Sequence, residues 1–151
     1  MDYTNYVNPN IGGIGHLLTS TSSSVQSPHG AAVVTPLFRP GMKDGYSSDR
    51  IFGFTAGCAA VMPECGDNGP AELAGSSRFD HDFETARPDF YEVLLEDHDI
   101  RSSHTSMANY GMFRFVFPRG AARKRIRLSV RGCAGLRRSG SRLYLTGQQY
   151  V

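Results

Sequence analysis

The feature that most constrains this chain is a two-residue alternation of apolar and polar positions between residues 91 and 130. Successive side chains of a strand point to opposite faces of its sheet, so each alternating run predicts a half-buried strand. No window of helical length keeps an apolar stripe of period 3.6, which argues against helices. Three runs place these residues on one face each: Tyr91, Val93 and Leu95; Phe113, Phe115 and Phe117; and Ile126, Leu128 and Val130.

Turn-forming residues separate these runs and fix their ends. Asp-His-Asp at 97–99 leads into a predicted strand over 100–107, and Pro-Arg-Gly at 118–120 ends the phenylalanine strand. Residues 137–141 predict a further turn, before a strand that begins at Leu143. The second half of the chain therefore predicts a series of antiparallel strands.

The first half alternates short strand candidates with loops rich in Gly, Ser, Pro and Asn. The strand candidates are 31–34, 51–55 and 71–73, and the longest loops are 18–28 and 66–70. We therefore predict a mainly β fold, a single antiparallel β-sandwich of short strands with long Gly/Ser/Pro-rich loops over residues 1–151. A chain of 151 residues with 40% hydrophobic residues suits one domain with a core. No apolar run approaches the roughly 18 to 20 residues that a bilayer requires, which predicts no membrane span.

The net charge of +2 hides an unequal distribution along the chain. Residues 1–99 carry all 14 acidic residues and five basic ones, whereas residues 100–151 carry 11 basic residues and no acid. A basic segment at 119–142 is compatible with binding to nucleic acid or to an acidic glycan. Pairing of acidic with basic strands explains the same pattern. We favour this internal pairing and expect no nucleic-acid partner, because no helix-turn-helix or RNA-binding aromatic platform accompanies the segment.

A glycine-rich segment, Gly-Gly-Ile-Gly-His, ends at His16. A dinucleotide fingerprint has to follow a strand and open a helix, whereas Asn-Pro-Asn precedes this segment and a Ser/Thr-rich loop follows it. Two interpretations remain: an ordinary turn, or a loop whose backbone and His16 side chain approach a small ligand.

Acidic clusters are the second source of candidate chemistry. If residues 79–84 are extended, their three carboxylates share one face, and hard oxygen ligands of this kind bind calcium. A solvated strand face is the favoured interpretation, because the twelve-residue calcium loop is absent. Glu64, Asp67 and Glu72 are candidates for the acid and base of glycoside hydrolysis, but sequence spacing does not establish the separation that such a pair needs.

The cysteines and the N-terminal residues give little information on function. The three cysteines, Cys58, Cys65 and Cys133, lack the spacing of a metal site and the even number of a complete disulfide framework. A single disulfide between Cys58 and Cys65 is one alternative. The first residues show no charged segment followed by an apolar one, so no signal peptide is predicted in this chain.

A set of motifs occurs in a fixed order from residue 3 to about residue 130. Near the start it comprises Tyr-Val-Asn-Pro-x-Ile-Gly at 6–12, Gly-His at 15–16 and Pro-His-Gly at 28–30. Further along it comprises Gly-Tyr at 45–46, Ile-x-Gly-Phe at 51–54, Cys-Gly-Asp at 65–67, Phe-x-His-x-x-Glu-x-Ala-x-Pro-x-Phe-Tyr at 79–91 and Arg-x-x-Phe-Pro at 114–118. Together these motifs resemble the N-terminal domain of glycoside hydrolase family 92.

The resemblance implies the N-terminal β-sandwich of an exo-acting, inverting, calcium-dependent α-mannosidase of bacterial glycan degradation, periplasmic or secreted. It places the calcium ligands, the general acid and the general base on a separate (α/α)6 domain, while the sandwich contributes loops to the rim of the sugar pocket. It therefore implies no catalytic residue, metal ligand or cofactor in this chain, which alone is expected to be inactive because the catalytic domain is missing. The implied partners are mannose-containing glycans and that C-terminal catalytic domain.

The resemblance also implies two substrate-binding residues, His16 and Asp67. His81 and Glu84 match a motif to which we assign a structural role, closing a strand junction with charge-assisted hydrogen bonds. Residues 55–60, Thr-Ala-Gly-Cys-Ala-Ala, replace a histidine-containing stretch that is common in the family, which leaves the substrate open. The alternative function is a stand-alone, non-catalytic carbohydrate-binding β-sandwich.

Overall fold

The structure is a computed structural model, and it describes residues 3–14, 21–38, 45–57, 59–66, 74–130 and 133–147. Within these ranges the regular structure consists of antiparallel strands and two short 3₁₀ turns, Thr4–Tyr6 and His81–Phe83, which confirms the mainly β prediction. The strands are β1 (Val25–Gln26), β2 (Val33–Val34), β3 (Arg50–Ile51), β4 (Phe54–Ala56), β5 (Ala59–Glu64), β6 (Ser77–Arg78), β7 (Glu84–Ala86), β8 (Tyr91–Leu95), β9 (Ile100–Met107), β10 (Tyr110–Val116), β11 (Arg125–Val130), β12 (Cys133–Ser139) and β13 (Arg142–Gly147).

The largest sheet is a four-stranded meander in the order β10-β9-β8-β7. The predicted strands at residues 91–95 and 100–107 are confirmed, and the phenylalanine strand runs from Tyr110 to Val116. Alternation decides which side chains enter the core, because every second residue of β8 is buried and the residues between are half-buried. Phe113 and Phe115 pack partly buried against the same core.

A second sheet has the order β11-β5-β4. Its central strand β5 was not predicted, because two alanines and Pro63 carry little strand signal. Proline is tolerated there because β4 pairs with residues 59–61 of β5 and ends before Pro63. The predicted strand at 51–55 is divided into β3 and β4 by Gly53. The φ of Gly53 is 133°, a backbone angle that glycine adopts readily and other residues rarely do.

The core lies between the two sheets, but along β11 it is open in the described part of the chain. Pairing registers put Leu128 opposite Val61, and Val61 opposite the fully buried Phe54. The apolar stripe of β11 therefore lies on the same face as Val61 and Phe54. Its members remain exposed nonetheless: Ile126 54%, Leu128 37% and Val130 38%.

His104 is enclosed in the core by aromatic rings. The centroid of its ring lies 4.1 Å from that of Phe54 and 4.9 Å from that of Phe113. Its Nε2 lies 3.2 Å from Ser102 Oγ, and its Nδ1 has no hydrogen-bond partner among the described residues. Burial lowers the pKa of His104 to about 3, because the apolar surroundings disfavour the charged ring. The residue is therefore neutral in the folded chain.

Three two-stranded units complete the described structure: β1–β2, β3–β6 and the hairpin β12–β13. The predicted strand at 31–34 shortens to Val33–Val34, and the one at 71–73 lies outside the described residues. The predicted turn at 137–141 is wrong in extent, because a tight turn at Gly140 and Ser141 suffices and the preceding arginines belong to β12. Among the described residues, no helix has the length and apolar character needed to cross a membrane.

Candidate functional site

Both predicted substrate-binding residues, His16 and Asp67, lie outside the described residues, as do Glu72 and Cys58. The structure does describe the residues on either side of their segments. Gly12 and Thr21 flank the segment that contains His16, and Gly66 precedes the one that contains Asp67.

The two flanks of the His16 segment are hydrogen-bonded to each other. The Thr21 amide donates to Gly12 O at 2.9 Å, and Thr21 Oγ1 donates to Ile11 O at 3.0 Å. Glycine suits position 13, because a Cβ there would make tight contacts of 3.0 Å with both Asn10 O and Tyr46 Cβ. Residues 12–14 and Thr21 thus form a closed loop base packed against Tyr46. An open cavity of about 290 Å³, lined by Asn8, residues 10–14 and Tyr46, lies beside it.

Glu84 connects this loop base to the sandwich. Its carboxylate, with the side chain only 2% exposed, accepts hydrogen bonds from Tyr91 Oη at 2.6 Å and from Asn10 Nδ2 at 3.4 Å. It also pairs with His81 Nδ1 at 2.5 Å. Burial, together with the neighbouring Glu84 charge, raises the pKa of Tyr91 well above its ordinary value. Tyr91 is therefore a fixed donor to Glu84.

His81 contacts two acceptors through its ring nitrogens. Its Nε2 lies 2.8 Å from the carbonyl oxygen of Tyr46, and its Nδ1 faces the Glu84 carboxylate. The ring also stacks on Tyr46 with centroids 3.9 Å apart. The predicted hydrogen bond between His81 and Glu84 is therefore present, and it connects the 3₁₀ turn to the buried carboxylate.

The extended geometry considered for residues 79–84 is wrong. Residues 81–83 form a 3₁₀ turn, and the Asp80 side chain caps it by accepting from the Asp82 amide at 2.9 Å. The turn directs Glu84 into the Tyr91 contact, so the three carboxylates do not share a face. The described residues contain no cluster of three or more His, Cys, Asp or Glu that could hold a metal ion.

A second buried carboxylate, Glu64, lies at the base of the Asp67 segment. Its side chain is 4% exposed, and its Oε1 contacts Arg127 Nε at 2.8 Å. Arg125 reaches the same carboxylate at 3.7 Å and donates to Gly66 O at 3.1 Å. Glu64, the last residue of β5, is therefore held by ion pairs with two arginines.

These contacts support the internal pairing of acidic and basic segments. Glu64 comes from the acidic part of the chain, and its two arginines come from the basic part. Glu92 pairs with Arg101 in the same way, at 2.9 Å. The hydrogen bond from Ser103 is the main factor that lowers the pKa of Glu92, and Arg101 adds to it.

Replacing Glu64 by glutamine is expected to lower the free energy of unfolding by about 1 to 3 kcal/mol, because a buried charge-assisted contact is lost. Urea unfolding measures the change. The matched control is Glu96→Gln, which alters an exposed carboxylate and should stay within about 0.5 kcal/mol. Equal stability of the two variants would contradict the assigned role of Glu64.

The described residues define an antiparallel β domain, in which two glutamate-braced segments adjoin the candidate binding residues in sequence. The model of the glycosyl hydrolase family 92 N-terminal domain matches residues 6–148. The chain therefore belongs to glycosyl hydrolase family 92, as its N-terminal domain, which confirms the resemblance noted from its motifs.

Solved structures of family 92 enzymes have the same fold. The α-mannosidase BT3965 from Bacteroides thetaiotaomicron is 27% identical, with a TM-score of 0.65 over 78% of this chain and 19% of that one. The family 92 glycosyl hydrolase ccman5 is 25% identical, with a TM-score of 0.65 over 80% and 19%. The inverting mannosidase BT2199 from B. thetaiotaomicron VPI-5482 is 20% identical, with a TM-score of 0.73 over 87% and 20%, and supports the fold alone.

The chain thus spans about a fifth of the length of these enzymes. No match was found among curated protein sequences.

Proposed function

We propose that this chain works as the supporting domain of a family 92 α-mannosidase and supplies loops to the rim of its sugar pocket. The observation that carries the proposal is the family match over residues 6–148. The two braced loop bases support it. A loop whose ends are fixed loses less entropy when it contacts a ligand, so such bracing suits a binding rim.

Hydrolysis itself is assigned to a separate (α/α)6 domain. An inverting reaction needs one carboxylic acid for the leaving oxygen and one carboxylate to activate water. The buried carboxylates that the structure describes at the loop bases, Glu64 and Glu84, both have hydrogen-bond or ion-pair partners within this domain. In this proposal the acid, the base and the calcium ion belong to that separate domain, as the resemblance to family 92 implies.

His16 and Asp67 are the proposed contacts to the sugar. A histidine and a carboxylate offer complementary donors and acceptors to the hydroxyl groups of a mannose residue. The proposed substrates are mannose-containing glycans, and the proposed location of the complete enzyme is periplasmic or extracellular.

The test uses the full-length enzyme that contains this domain. His16→Ala and Asp67→Ala are expected to lower kcat/KM for an α-mannoside by about 10- to 100-fold, the loss of one good substrate hydrogen bond each. The matched controls, His29→Asn and Asp82→Asn, alter exposed residues and should change kcat/KM less than twofold. Unchanged kcat/KM in both alanine variants would overturn the site assignment.

Calorimetry on the 151-residue chain distinguishes the proposed rim domain from the alternative, a stand-alone carbohydrate-binding module. A stand-alone carbohydrate-binding module would release heat with yeast mannan and lose that heat in the same variants. A rim domain requires the rest of the pocket, so the chain alone should show no heat with mannose, mannobiose or mannan.

A further inference from the structure

The β12–β13 hairpin contains arginine residues and no aspartate or glutamate. Its register pairs Arg137 with Tyr144 and Ser139 with Arg142. Residues two apart in a strand share a face, so these four side chains lie together on one side of the hairpin. All four are exposed. We call this set the basic hairpin face.

In the described part of the chain, the guanidinium groups of this face have no acidic partner. No acid occurs in residues 100–151, and among the described residues no carboxylate contacts Arg137 or Arg142. The pattern differs from that of Arg101 and Arg127, each of which has a glutamate partner. Internal pairing therefore explains the basic strand β11 but leaves the charge of the hairpin unexplained.

The ring of Tyr144 gives the face a second element. The Arg137 guanidinium lies over it, 5.1 Å from its centroid. Stacking of this kind orients the planar group and leaves its N–H edge free for an external acceptor. Arg142 lies diagonally across the hairpin from Arg137, two residue pairs along the ladder. This spacing corresponds to about 5 Å across the strands and about 7 Å along them. The face thus presents two guanidinium groups beside a hydroxyl and an aromatic ring.

We propose that the basic hairpin face binds a sulfated polysaccharide, with Arg137 and Arg142 each holding a sulfate group. Guanidinium groups match the oxyanion geometry by donating two parallel hydrogen bonds. Ser139 offers a further donor, and Tyr144 offers an apolar surface to the sugar ring between two sulfates. The face lies on a hairpin separate from the two glutamate-braced loop bases, so this proposal does not depend on the mannoside proposal.

A polysaccharide suits this face better than a nucleic acid does. Single-stranded nucleic acids are bound by aromatic rings on which successive bases stack, and the described face has one ring. The chain also belongs to a family of glycosidases, whose substrates are glycans. Binding to nucleic acid is a separate outcome of the test.

The experiment measures the affinity of the 151-residue chain for heparin and for a single-stranded DNA oligonucleotide by calorimetry, at several salt concentrations. Heparin is expected to bind more tightly than DNA, with an affinity that falls steeply with salt. Combined Arg137→Ser and Arg142→Ser should weaken heparin binding at least tenfold. The control, Arg119→Ser with Lys124→Ser, removes the same charge from an exposed loop and should weaken it less than threefold.

A second pair, Arg137→Lys with Arg142→Lys, keeps the charge and removes the paired donors. It should lose at least threefold in affinity while keeping the unfolding curve of the parent chain, which provides a result even where the serine variant folds poorly. Equal losses in the hairpin and loop variants would overturn the site, and so would lysine variants that bind as the parent does. Tighter binding to DNA than to heparin would overturn the ligand class.

Discussion

Replacing Glu84 by alanine is expected to lower the free energy of unfolding by about 3 to 5 kcal/mol, the range typical when one partner of a buried ion pair is removed. Its carboxylate is the shared acceptor for His81 and Tyr91. The Glu84 side chain is 2% exposed, so water does not replace the lost contacts. The Nδ1 nitrogen of His81 and the Tyr91 hydroxyl are then left without their shared acceptor. Urea unfolding monitored by circular dichroism gives the value.

The same variant should loosen the loop base that precedes His16. Hydrogen exchange of the Gly13 and Thr21 amides reports this directly, because both donate within that base. The control is Asp82→Ala, which removes an exposed carboxylate from the same 3₁₀ turn and should cost less than about 0.5 kcal/mol. A Glu84→Ala protein within about 1 kcal/mol of the parent would show that the carboxylate is not a structural centre.

Acidification from pH 7.5 to pH 5 is expected to lower the free energy of unfolding by about 2 kcal/mol through His104 alone. The pKa of His104 is depressed to about 3 in the folded chain and returns to its ordinary value near 6.5 on unfolding. Below pH 6.5, His104 therefore binds a proton in the unfolded chain but not in the folded chain. The stabilisation is complete above pH 6.5 and is lost progressively as the pH falls towards 3.

Two variants isolate this effect. His104→Phe keeps an aromatic ring in the cage and should remove most of the slope between pH 5 and pH 7, whereas His98→Gln should leave it unchanged. Asp97 changes its charge in a different pH range. Its burial opposes ionisation, but hydrogen bonds from Arg78 and Arg50 outweigh burial and lower its pKa, so its contribution changes at lower pH. A parent protein as stable at pH 5 as at pH 7.5 would contradict the account.

Local periodicity predicted β8 and β10 of the meander, because alternate residues of β8 are buried and alternate residues of β10, Phe113 and Phe115, pack against the core. It missed β5, where alanines and Pro63 are compatible with a strand only because β11 and β4 lie on either side. It also misjudged residues 79–84, where the Asp80 cap, a local side-chain contact, overrides the alternation of apolar and polar residues. Pairing over long separations and side-chain capping are not encoded in periodicity.

The motif that contains His81 and Glu84 predicted their contact and also ends at Tyr91, but nothing in the sequence indicated that Tyr46 and Asn10 complete it. These two residues are far from the motif in the chain and meet it only in the folded structure. The ion-pair partners of Glu64 were missed for a similar reason. Its arginine partners follow about sixty residues later, although a glutamate beside an apolar run and a later arginine-alternating strand were the available signal.

The arginine row of β11 has a consequence for how copies of the chain behave towards one another. In the described part of the chain β11 is the last strand of its sheet, so one row of its backbone donors and acceptors offers a template for a strand from another molecule. Antiparallel pairing of two copies would bring Arg127 of each close to the other on the same face. Like charges opposed in this way destabilise a ladder, so the residues that hold Glu64 also protect the sheet against aggregation at its edge.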